Sequence, residues 1–314
     1  MLFLVLFLLL LSILPFFIPL PVVEKLVQRP PFENSEFIKL ENTNVHYRVW
    51  KPDSNSSSNY IFLFHGFSGS TFSYEKLATL LAKENYCVVA MDFPGFGFSD
   101  KSEQANFSDS FRIKVSQKIM NQINSSVQWT VVGHSMGAKT AVLVADFFPE
   151  KINRIILLDG VPGLDKNESM NFFSNFILSF QPVKKWAEIL GNYFLFKENK
   201  FTELLTSAYG RPPSPEEVSG YLKPFFVPRS ATSILEMSQI KNKIKSWKKN
   251  WKQKPLMLIW GEKDKWIAMN IGKEFHDQNK GSVWVEIKNA GHCPMETHPV
   301  ETASSILNFI KDAK

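Results

Sequence analysis

Cysteine and histidine are scarce in this chain of 314 residues, which contains two cysteines and six histidines. Two cysteines cannot build a disulfide framework, and they leave the redox compartment open. No group of His, Cys, Asp or Glu residues has the spacing of a metal site, and no glycine-rich phosphate loop is present. The sequence therefore predicts neither a metal ion nor a cofactor.

Acidic residues are absent from residues 241–254, a segment that carries seven lysines. The net charge of the whole chain is +6, so the remainder of the chain is close to neutral. No nucleic-acid-binding motif accompanies these lysines, and nucleic acid is therefore not an expected partner. The segment is interpreted as a solvated helix face or, alternatively, as a surface that lies near anionic lipid.

Charged residues are absent from residues 1–23, where Leu and Phe dominate until three prolines, from Pro15 to Pro21, interrupt the pattern. A cleaved secretory signal needs a basic start and small residues before the cleavage site. Here the first basic residue is Lys25 and the first alanine is Ala78. We therefore predict an uncleaved membrane anchor with a transmembrane helix, in a stretch that is marginal against the roughly 20 residues of a full span. A cleaved signal on a secreted protein and an apolar arm packed on the fold are the alternatives.

Apolar runs alternate with helical patterns in residues 36–160 and 255–314. Continuous apolar strands alternating with helices are typical of a parallel sheet covered on both faces. The alternation is absent from residues 161–254, where helical stretches are rich in Phe, Trp and Tyr. The sequence thus predicts an α/β core made of two segments, with a helical cap inserted between them. The predicted strands are 37–40, 45–50, 60–64, 86–91, 129–132, 154–158, 256–260 and 282–287.

The pentapeptide Gly-His-Ser-Met-Gly at 133–137 lies between a β-branched apolar run and a helical pattern. A strand, a G-x-S-x-G sequence and a helix together predict a nucleophile elbow, which exposes a serine hydroxyl at the tip of a sheet. Ser135 is therefore the candidate nucleophile. A serine hydroxyl is a weak nucleophile, so this interpretation requires a base and an acid elsewhere in the chain.

His292 is the candidate base, because it lies in a loop before the final helix that can carry its imidazole to Ser135. A structural histidine is the alternative. Asp264 follows the predicted strand 256–260 by a short turn, and it is the candidate carboxylate that fixes the histidine tautomer. The order Ser, Asp, His along the chain is one of the known orders of such triads. Asp159, at the end of the preceding strand, is the rival acid.

Two backbone amides are candidates for an oxyanion hole. The N–H of Met136 directly follows the nucleophile, and the N–H of Phe67 lies in a turn at 65–69, for which an ordinary glycine-rich turn is the alternative reading. Asp92, in another turn motif, is expected to bind backbone amides rather than to accept a proton. Cys293 is not expected to be a nucleophile, because neighbouring residues on a loop tend to point apart.

Taken together, these motifs resemble those of the α/β-hydrolase superfamily over residues 36–312. The resemblance rests on HGFSG at 65–69, DFPGFGFS at 92–99, GHSMG at 133–137, WGEKD at 260–264 and AGH at 290–292. It implies a mostly parallel eight-stranded sheet with helices on both faces and a helical cap after strand six. Carried over by position, it implies that Ser135 is the nucleophile, Asp264 the acid, His292 the base, and Phe67 and Met136 the oxyanion donors. Within the superfamily the chain looks most like membrane-anchored monoacylglycerol-lipase-type hydrolases, although Ala138 stands where many of them have glycine.

The residues and the resemblance predict a serine hydrolase that cleaves carboxylic esters of apolar or lipid substrates, such as monoacylglycerols, through an acyl-enzyme. Phe172 and Phe176 in the cap and Trp266 after the acid are the candidate substrate-binding residues, with core packing as the alternative role. A carbon–carbon bond hydrolase of the meta-cleavage type is the enzymatic rival. A non-catalytic ligand-binding scaffold is the rival of a different class. Acyl-chain length and oligomeric state are not predicted.

Overall fold

The computed structural model describes residues 2–21, 30–52, 59–163, 177–240 and 247–312. Its strands are β1 (Ser35–Leu40), β2 (Thr43–Trp50), β3 (Asn59–Phe64), β4 (Tyr86–Met91), β5 (Trp129–His134), β6 (Ile152–Leu158), β7 (Leu256–Gly261) and β8 (Val283–Ile287). They form one eight-stranded sheet in the order β1-β2-β4-β3-β5-β6-β7-β8. β3 to β8 are parallel, whereas β2 is antiparallel to β1 and β4. The predicted mostly parallel sheet is confirmed, with a mixed edge.

Helices cover this sheet and fill its connections. The α-helices are α1 (Leu2–Ile13), α2 (Glu75–Lys83), α3 (Asp109–Asn124), α4 (Met136–Phe147), α5 (Gln181–Leu190), α6 (Glu198–Tyr209), α7 (Pro215–Leu222), α8 (Ser230–Gln239), α9 (Met269–Gln278), α10 (Pro294–Thr297) and α11 (Pro299–Asp312). Short 3-10 turns cover Leu14–Phe16, Thr71–Tyr74, Lys223–Phe226 and Asn250–Gln253, and a π-helical turn covers Gly191–Leu195. Helices α5 to α8 lie between β6 and β7, where the sequence predicts a cap.

Both faces of the sheet are buried, which explains the continuous apolar runs in its strands. In β3, Ile61 and Leu63 belong to one apolar cluster, and Phe62 and Phe64 belong to another. Successive side chains of a strand point to opposite faces, so each cluster fills one face. Helices α2 and α11 pack on the first face, and α3 and α4 pack on the second.

The helices between β6 and β7 share the apolar core of the first face. Leu205 of α6 and Tyr221 of α7 belong to the same cluster as Leu77 of α2. The backbone N–H of His292, after β8, donates to the carbonyl oxygen of Ala208 in α6 at 2.7 Å. The cap helices are therefore held by apolar packing and by backbone hydrogen bonds close to the carboxyl ends of the strands.

The N-terminal helix ends close to the first of the three prolines. α1 spans 12 residues, and Pro15 lies in the 3-10 turn that follows it. Among the residues that the structure describes, none of the helices has both the length and the apolar composition needed to cross a membrane. The prediction of a transmembrane helix within residues 1–23 is therefore not supported.

Instead, the N-terminal segment packs on the cap. The indole Nε1 of Trp186 in α5 donates to the carbonyl oxygen of Leu11 at 2.9 Å. The hydroxyl of Tyr193 donates to the carbonyl oxygen of Pro19 at 2.6 Å. This arrangement corresponds to the alternative of an apolar arm, although most of the described arm side chains remain exposed.

Candidate active site

Ser135 occupies a strained turn between β5 and α4. Its φ of 50° and ψ of −119° are unusual for a residue with a side chain, and such strain costs about 1–3 kcal/mol. The flanking glycines are sterically required. A Cβ at Gly133 would lie 2.4 Å from the carbonyl oxygen of Gly137, and one at Gly137 would lie 2.0 Å from that of Phe64. The elbow fits here because the residues two positions before and after the serine have no Cβ.

Two further glycines make room for the elbow, and only one of them lies in a motif that the sequence analysis singled out. A Cβ at Gly160, just after β6, would lie 2.6 Å from Cα of Ser135. A Cβ at Gly66, in the predicted oxyanion turn, would lie 2.8 Å from Nδ1 of His134. Gly160 marks the point where the strand–helix alternation stops, which is the only sequence signal of its role.

The imidazole of His292 is fixed by four neighbouring groups. Its Nδ1–H donates to Oδ2 of Asp264 at 2.8 Å, and its ring stacks on Trp266 with centroids 5.1 Å apart. Its backbone N–H donates to Ala208, and its carbonyl oxygen accepts a hydrogen bond from Nε2 of His134 at 2.8 Å. Because Nδ1 is engaged with Asp264, Nε2 is the ring nitrogen that remains for proton transfer.

Asp264 is the direct partner of His292, and Asp159 is not. Oδ1 of Asp264 accepts the N–H groups of Trp266 at 2.8 Å and Ile267 at 3.1 Å, so the loop after β7 positions the carboxylate. Burial alone would raise the pKa of Asp264, but the hydrogen bond and charge of His292, with these two amides, outweigh burial and lower the pKa. The group is therefore ionised near neutral pH and favours an imidazolium beside it.

Ser135 and His292 line the same cavity, which has a volume of about 330 Å³. Its other walls come from the turn after β3, from the cap and from the loops after β7 and β8; they include Gly66, Ser73, Leu204, Leu205, Ala208, Tyr221, Trp266 and Cys293. A second cavity of about 240 Å³ also reaches Ser135 and is lined by Phe67 and Met136. The candidate nucleophile thus lies where two cavities meet.

The candidate oxyanion donors lie beside Ser135. Met136 is the first residue of α4, and the first N–H groups of a helix have no acceptor within the helix. The positive end of the helix dipole also favours negative charge at this point. Phe67 lies in the turn after β3 and lines both cavities. Both residues therefore line the cavity beside Ser135, and their backbone amides remain the candidate oxyanion donors.

The turn that carries Phe67 is held by a buried histidine that the sequence analysis assigned only to a turn motif. Nδ1 of His65 donates to the carbonyl oxygen of Gly66 at 2.7 Å, and Nε2 accepts the N–H of Phe93 at 2.9 Å. Burial lowers the pKa of His65 to about 4, so the ring is neutral at pH 7 and makes both bonds. His65 therefore joins the candidate oxyanion turn to the turn that follows β4.

Asp92 binds backbone amides, as predicted. Its Oδ1 accepts the N–H of Thr71 at 2.6 Å, and its Oδ2 accepts the N–H of Phe98 at 2.7 Å. Oδ2 also lies 2.7 Å from Nδ1 of His46, which the sequence analysis did not connect with it. Burial opposes ionisation of Asp92, but the His46 charge and hydrogen bond outweigh burial and lower its pKa to about 2.

A second Ser-His-Asp trio shows that hydrogen bonds alone do not define a catalytic site. Oγ of Ser35 lies 2.7 Å from Nε2 of His46, whose Nδ1 contacts Asp92. Ser35 begins the edge strand β1, with no elbow and no helix N-terminus behind it, and its Oγ accepts the N–H of Phe32 at 3.1 Å. This trio ties β1 and β2 to the turn after β4, and we assign it a structural role.

The remaining predicted site residues have different outcomes. Trp266 lines the larger cavity, is 43% exposed, and donates through Nε1 to Oγ of Ser207 in α6 at 3.0 Å. Phe172 and Phe176 lie outside the described residues. Cys293, which is not expected to be a nucleophile, lines the same cavity as His292. Burial raises the pKa of its thiol well above the ordinary value, which disfavours the nucleophilic thiolate.

Alignments with known proteins of related sequence cover most of this chain. A protein described as an uncharacterized hydrolase YugF, from Bacillus subtilis (strain 168), is 29% identical over 278 residues, which cover 87% of this chain and 96% of that protein. A 2-hydroxy-6-oxononadienedioate/2-hydroxy-6-oxononatrienedioate hydrolase from Escherichia coli O81 (strain ED1a) is 21% identical over 303 residues, covering 89% and 96% of the two chains.

The fold also recurs in solved structures. A crystal structure of a membrane phospholipase A, described as a bacterial virulence factor, superposes with a TM-score of 0.68 and 23% identity over 88% of this chain and 86% of that one. The family model for the alpha/beta hydrolase fold matches residues 59–299. Because that match covers more than half of the chain, the protein belongs to the alpha/beta hydrolase fold family.

Proposed function

We propose that the protein is a serine hydrolase that cleaves carboxylic esters of apolar or lipid substrates, with monoacylglycerol-like esters as the model substrate. The main support is the hydrogen bond between His292 and Asp264 on the wall of a cavity that Ser135 also lines. A serine at an elbow, a base with its Nδ1 proton fixed, and an ionised acid are the parts that acyl transfer requires. In this proposal Ser135, His292 and Asp264 are the catalytic residues.

The proposed reaction follows from these positions. Nε2 of His292 takes the proton of Ser135 as Oγ attacks the ester carbonyl carbon, and the N–H groups of Phe67 and Met136 stabilise the resulting oxyanion. The carbon–oxygen bond then breaks, and the imidazolium of His292 gives its proton to the departing alcohol. Water, deprotonated by the same imidazole, attacks the acyl carbon. The bond to Oγ breaks, the imidazolium returns its proton to Oγ of Ser135, and the carboxylic acid is released. Asp264 stays ionised throughout.

The cavity walls support an apolar acyl group. Leu204, Leu205 and Ala208 of α6 line it together with Trp266. Apolar walls with a few placed polar groups are typical of small-molecule sites, and here the polar groups lie at the reacting end and at the Ser73 and Tyr221 hydroxyls. The likeness to monoacylglycerol-lipase-type members stays a prediction, as do the boundaries of anchor, core and cap.

We also propose that the N-terminal segment associates with a lipid membrane. Its exposed side chains include Phe3 at 84% and Phe17 at 78%, and the adjoining cap exposes Phe194 at 63%. Contiguous exposed apolar surface marks a protein or membrane interaction site. In co-sedimentation with phosphatidylcholine vesicles, the full chain should pellet, and a Phe3→Ser/Phe17→Ser variant should pellet less. If both stay in the supernatant, a secreted protein that needs no membrane becomes the better interpretation.

The proposed ester hydrolysis is tested with p-nitrophenyl esters and monoacylglycerol, with Ser135→Ala as the control. Wild type should release acid and react with a fluorophosphonate at Ser135, and the variant should do neither. A carbon–carbon bond hydrolase is the second candidate, favoured by the relative of that reaction class. If wild type cleaves no ester but cleaves a vinylogous diketone, the second candidate replaces the first. If it does not react with the fluorophosphonate either, a non-catalytic ligand-binding scaffold is the remaining interpretation.

A further inference from the structure

A second buried carboxyl group lies behind the acid of the proposed triad. Asp159 follows β6 and is 0% exposed, and its Oδ1 accepts the N–H of Gly261 at 2.8 Å. One oxygen of Asp159, one of Asp264 and a ring nitrogen of His292 all lie within 4.8 Å of one another. Asp159 lines neither of the two cavities beside Ser135, so substrate does not reach it there.

The two carboxyl groups are unequally supplied with hydrogen-bond donors. Asp264 accepts three N–H groups, from His292, Trp266 and Ile267. Asp159 accepts one N–H group, that of Gly261. Among the described residues, its buried Oδ2 has no hydrogen-bond partner. Two ionised carboxylates this close in a buried place repel each other, so one of them holds a proton at neutral pH. The donor count places the negative charge on Asp264 and the proton on Asp159.

We propose that Asp159 is a protonated positioning residue, whose Oδ2–H donates a hydrogen bond to the carboxylate of Asp264. This bond gives the buried Oδ2 the partner that it otherwise lacks. Burial and the charge of Asp264 both raise the pKa of Asp159 well above its ordinary value, in agreement with this assignment. The titratable groups that face it are Asp264 and His292, with the Cys293 thiol next to them.

The consequence for the site is that a single negative charge faces His292. Ionised Asp159 would add a second negative charge, which would hold the imidazolium too tightly for it to return its proton to the leaving group. A neutral Asp159 instead fixes the carboxylate of Asp264 without changing the charge. The inference rests on the proposed hydrolase function for its catalytic consequence, but the proton itself is a property of the folded chain.

The proton is measured directly by infrared difference spectroscopy of the whole protein near pH 7. The difference spectrum of wild type minus Asp159→Asn should show the carbonyl band of a protonated carboxylic acid. The band should shift when the same difference is recorded in the Asp264→Asn background. Glu296, another buried carboxyl whose pKa is raised, to about 7, could give a similar band. The measurement is therefore repeated in a Glu296→Gln background. Absence of a band that depends on Asp159 overturns the proposal, whatever the protein hydrolyses.

The positioning role is measured by kinetics with an ester that wild type cleaves. Asp159→Asn keeps an acceptor for Gly261 and a donor for Asp264, so most of kcat should remain and the acidic limb of kcat/KM should stay at the same pH. Asp159→Leu keeps the volume of the side chain but removes its donor. We expect kcat to fall about 10- to 100-fold with KM unchanged, the loss seen when groups that orient the ligands of a metal site are replaced. An acidic limb that moves to lower pH in Asp159→Asn shows that Asp159 was ionised, which also overturns the proposal. If neither wild type nor any variant cleaves an ester, the proposed function fails. The infrared measurement still decides whether Asp159 carries a proton.

Discussion

The indole ring of Trp266 lies over the imidazole of His292, with ring centroids 5.1 Å apart and 28° between the ring planes. Nε1 of the same indole donates to Oγ of Ser207 in the cap. One side chain from the loop after β7 thus joins the candidate base to α6. This contact places the cap close enough to the imidazole to affect both its orientation and its access to solvent.

Removing the indole should impair the reaction more than removing its hydrogen bond. Aromatic pairs contribute about 0.5–1.5 kcal/mol, and about 1.4 kcal/mol is a tenfold change in rate. We expect Trp266→Ala to lower kcat/KM for an apolar ester by up to about tenfold, and Trp266→Phe to retain most of it. Ser207→Ala removes only the hydrogen bond and is the matched control. Equal losses in Trp266→Ala and Ser207→Ala would contradict a role for the stacked ring.

The strands were predictable because both faces of the sheet are buried. The apolar run at 86–91 coincides with β4. The four-residue helix α10 was missed, because one turn is too short for helical periodicity. The predicted transmembrane helix is not supported among the described residues, because the apolar composition of residues 1–23 is divided by prolines and α1 spans only 12 residues.

Motifs in the sequence name the candidate residues of the site, whereas the contacts that position these residues leave no such pattern. The structure brings Asp264 and His292 together as the motifs predict. The bond from His134 to His292 joins residues 158 positions apart and leaves no pattern in either segment. The close approach at Gly160 and the bond to the carbonyl oxygen of Ala208 likewise have no motif that predicts them. Their roles depend on how close the backbones approach, and only the folded chain determines that distance.

His65 should matter to catalysis although it does not line either cavity. Replacing it with Ala removes both the bond to the Gly66 carbonyl and the acceptor for Phe93, so the turn carrying the Phe67 amide loses its support. Removing one oxyanion donor outright costs about 100- to 1,000-fold in kcat. The loss from a Phe67 amide that is only displaced should not exceed this range. We expect kcat to fall by up to this factor, with little change in KM.

A melting curve is recorded for the same His65→Ala variant, because a buried histidine also contributes to stability. A variant that keeps its folding transition but loses kcat supports the role of the turn. A folded variant with wild-type kcat would show that Phe67 keeps its position without His65.

His134 should make stability depend on pH in a predictable direction. Burial first, and then the nearby charge of His292, lower its pKa from 6.5 to about 3. Between these two pH values the unfolded chain binds a proton that the folded chain does not, so this contribution to stability is lost as the pH falls from 6.5 towards 3. His65 and Asp264 also face the ring and influence its titration.

The test compares wild type with His134→Gln in urea unfolding at several pH values between 4 and 6.5. The free energy of unfolding should fall more steeply in wild type as the pH is lowered, by up to about 1.4 kcal/mol per pH unit. Comparison with the variant removes the contributions of the other buried groups, which titrate in both proteins. Parallel curves would show that His134 is not kept neutral by its surroundings.

Glu296 joins the cap to the core through two tyrosines. Its Oε2 accepts the hydroxyl of Tyr209 at 2.7 Å, and its Oε1 accepts the hydroxyl of Tyr221 at 2.5 Å. Oγ of Ser73 lies 2.8 Å from the Tyr221 hydroxyl and continues the network into the core. Tyr221 lines the larger cavity and Tyr209 does not, so the two tyrosines provide a matched pair.

We expect Tyr209→Phe and Tyr221→Phe each to lower the free energy of unfolding by about 1–3 kcal/mol, because each leaves a buried carboxyl oxygen without its donor. Only Tyr221→Phe should also change KM for an apolar ester, since Tyr221 lines the cavity and Tyr209 does not. Urea unfolding and steady-state kinetics of the two variants measure both effects. Equal changes in KM would mean that the network acts on the cavity as a whole rather than through the hydroxyl of Tyr221.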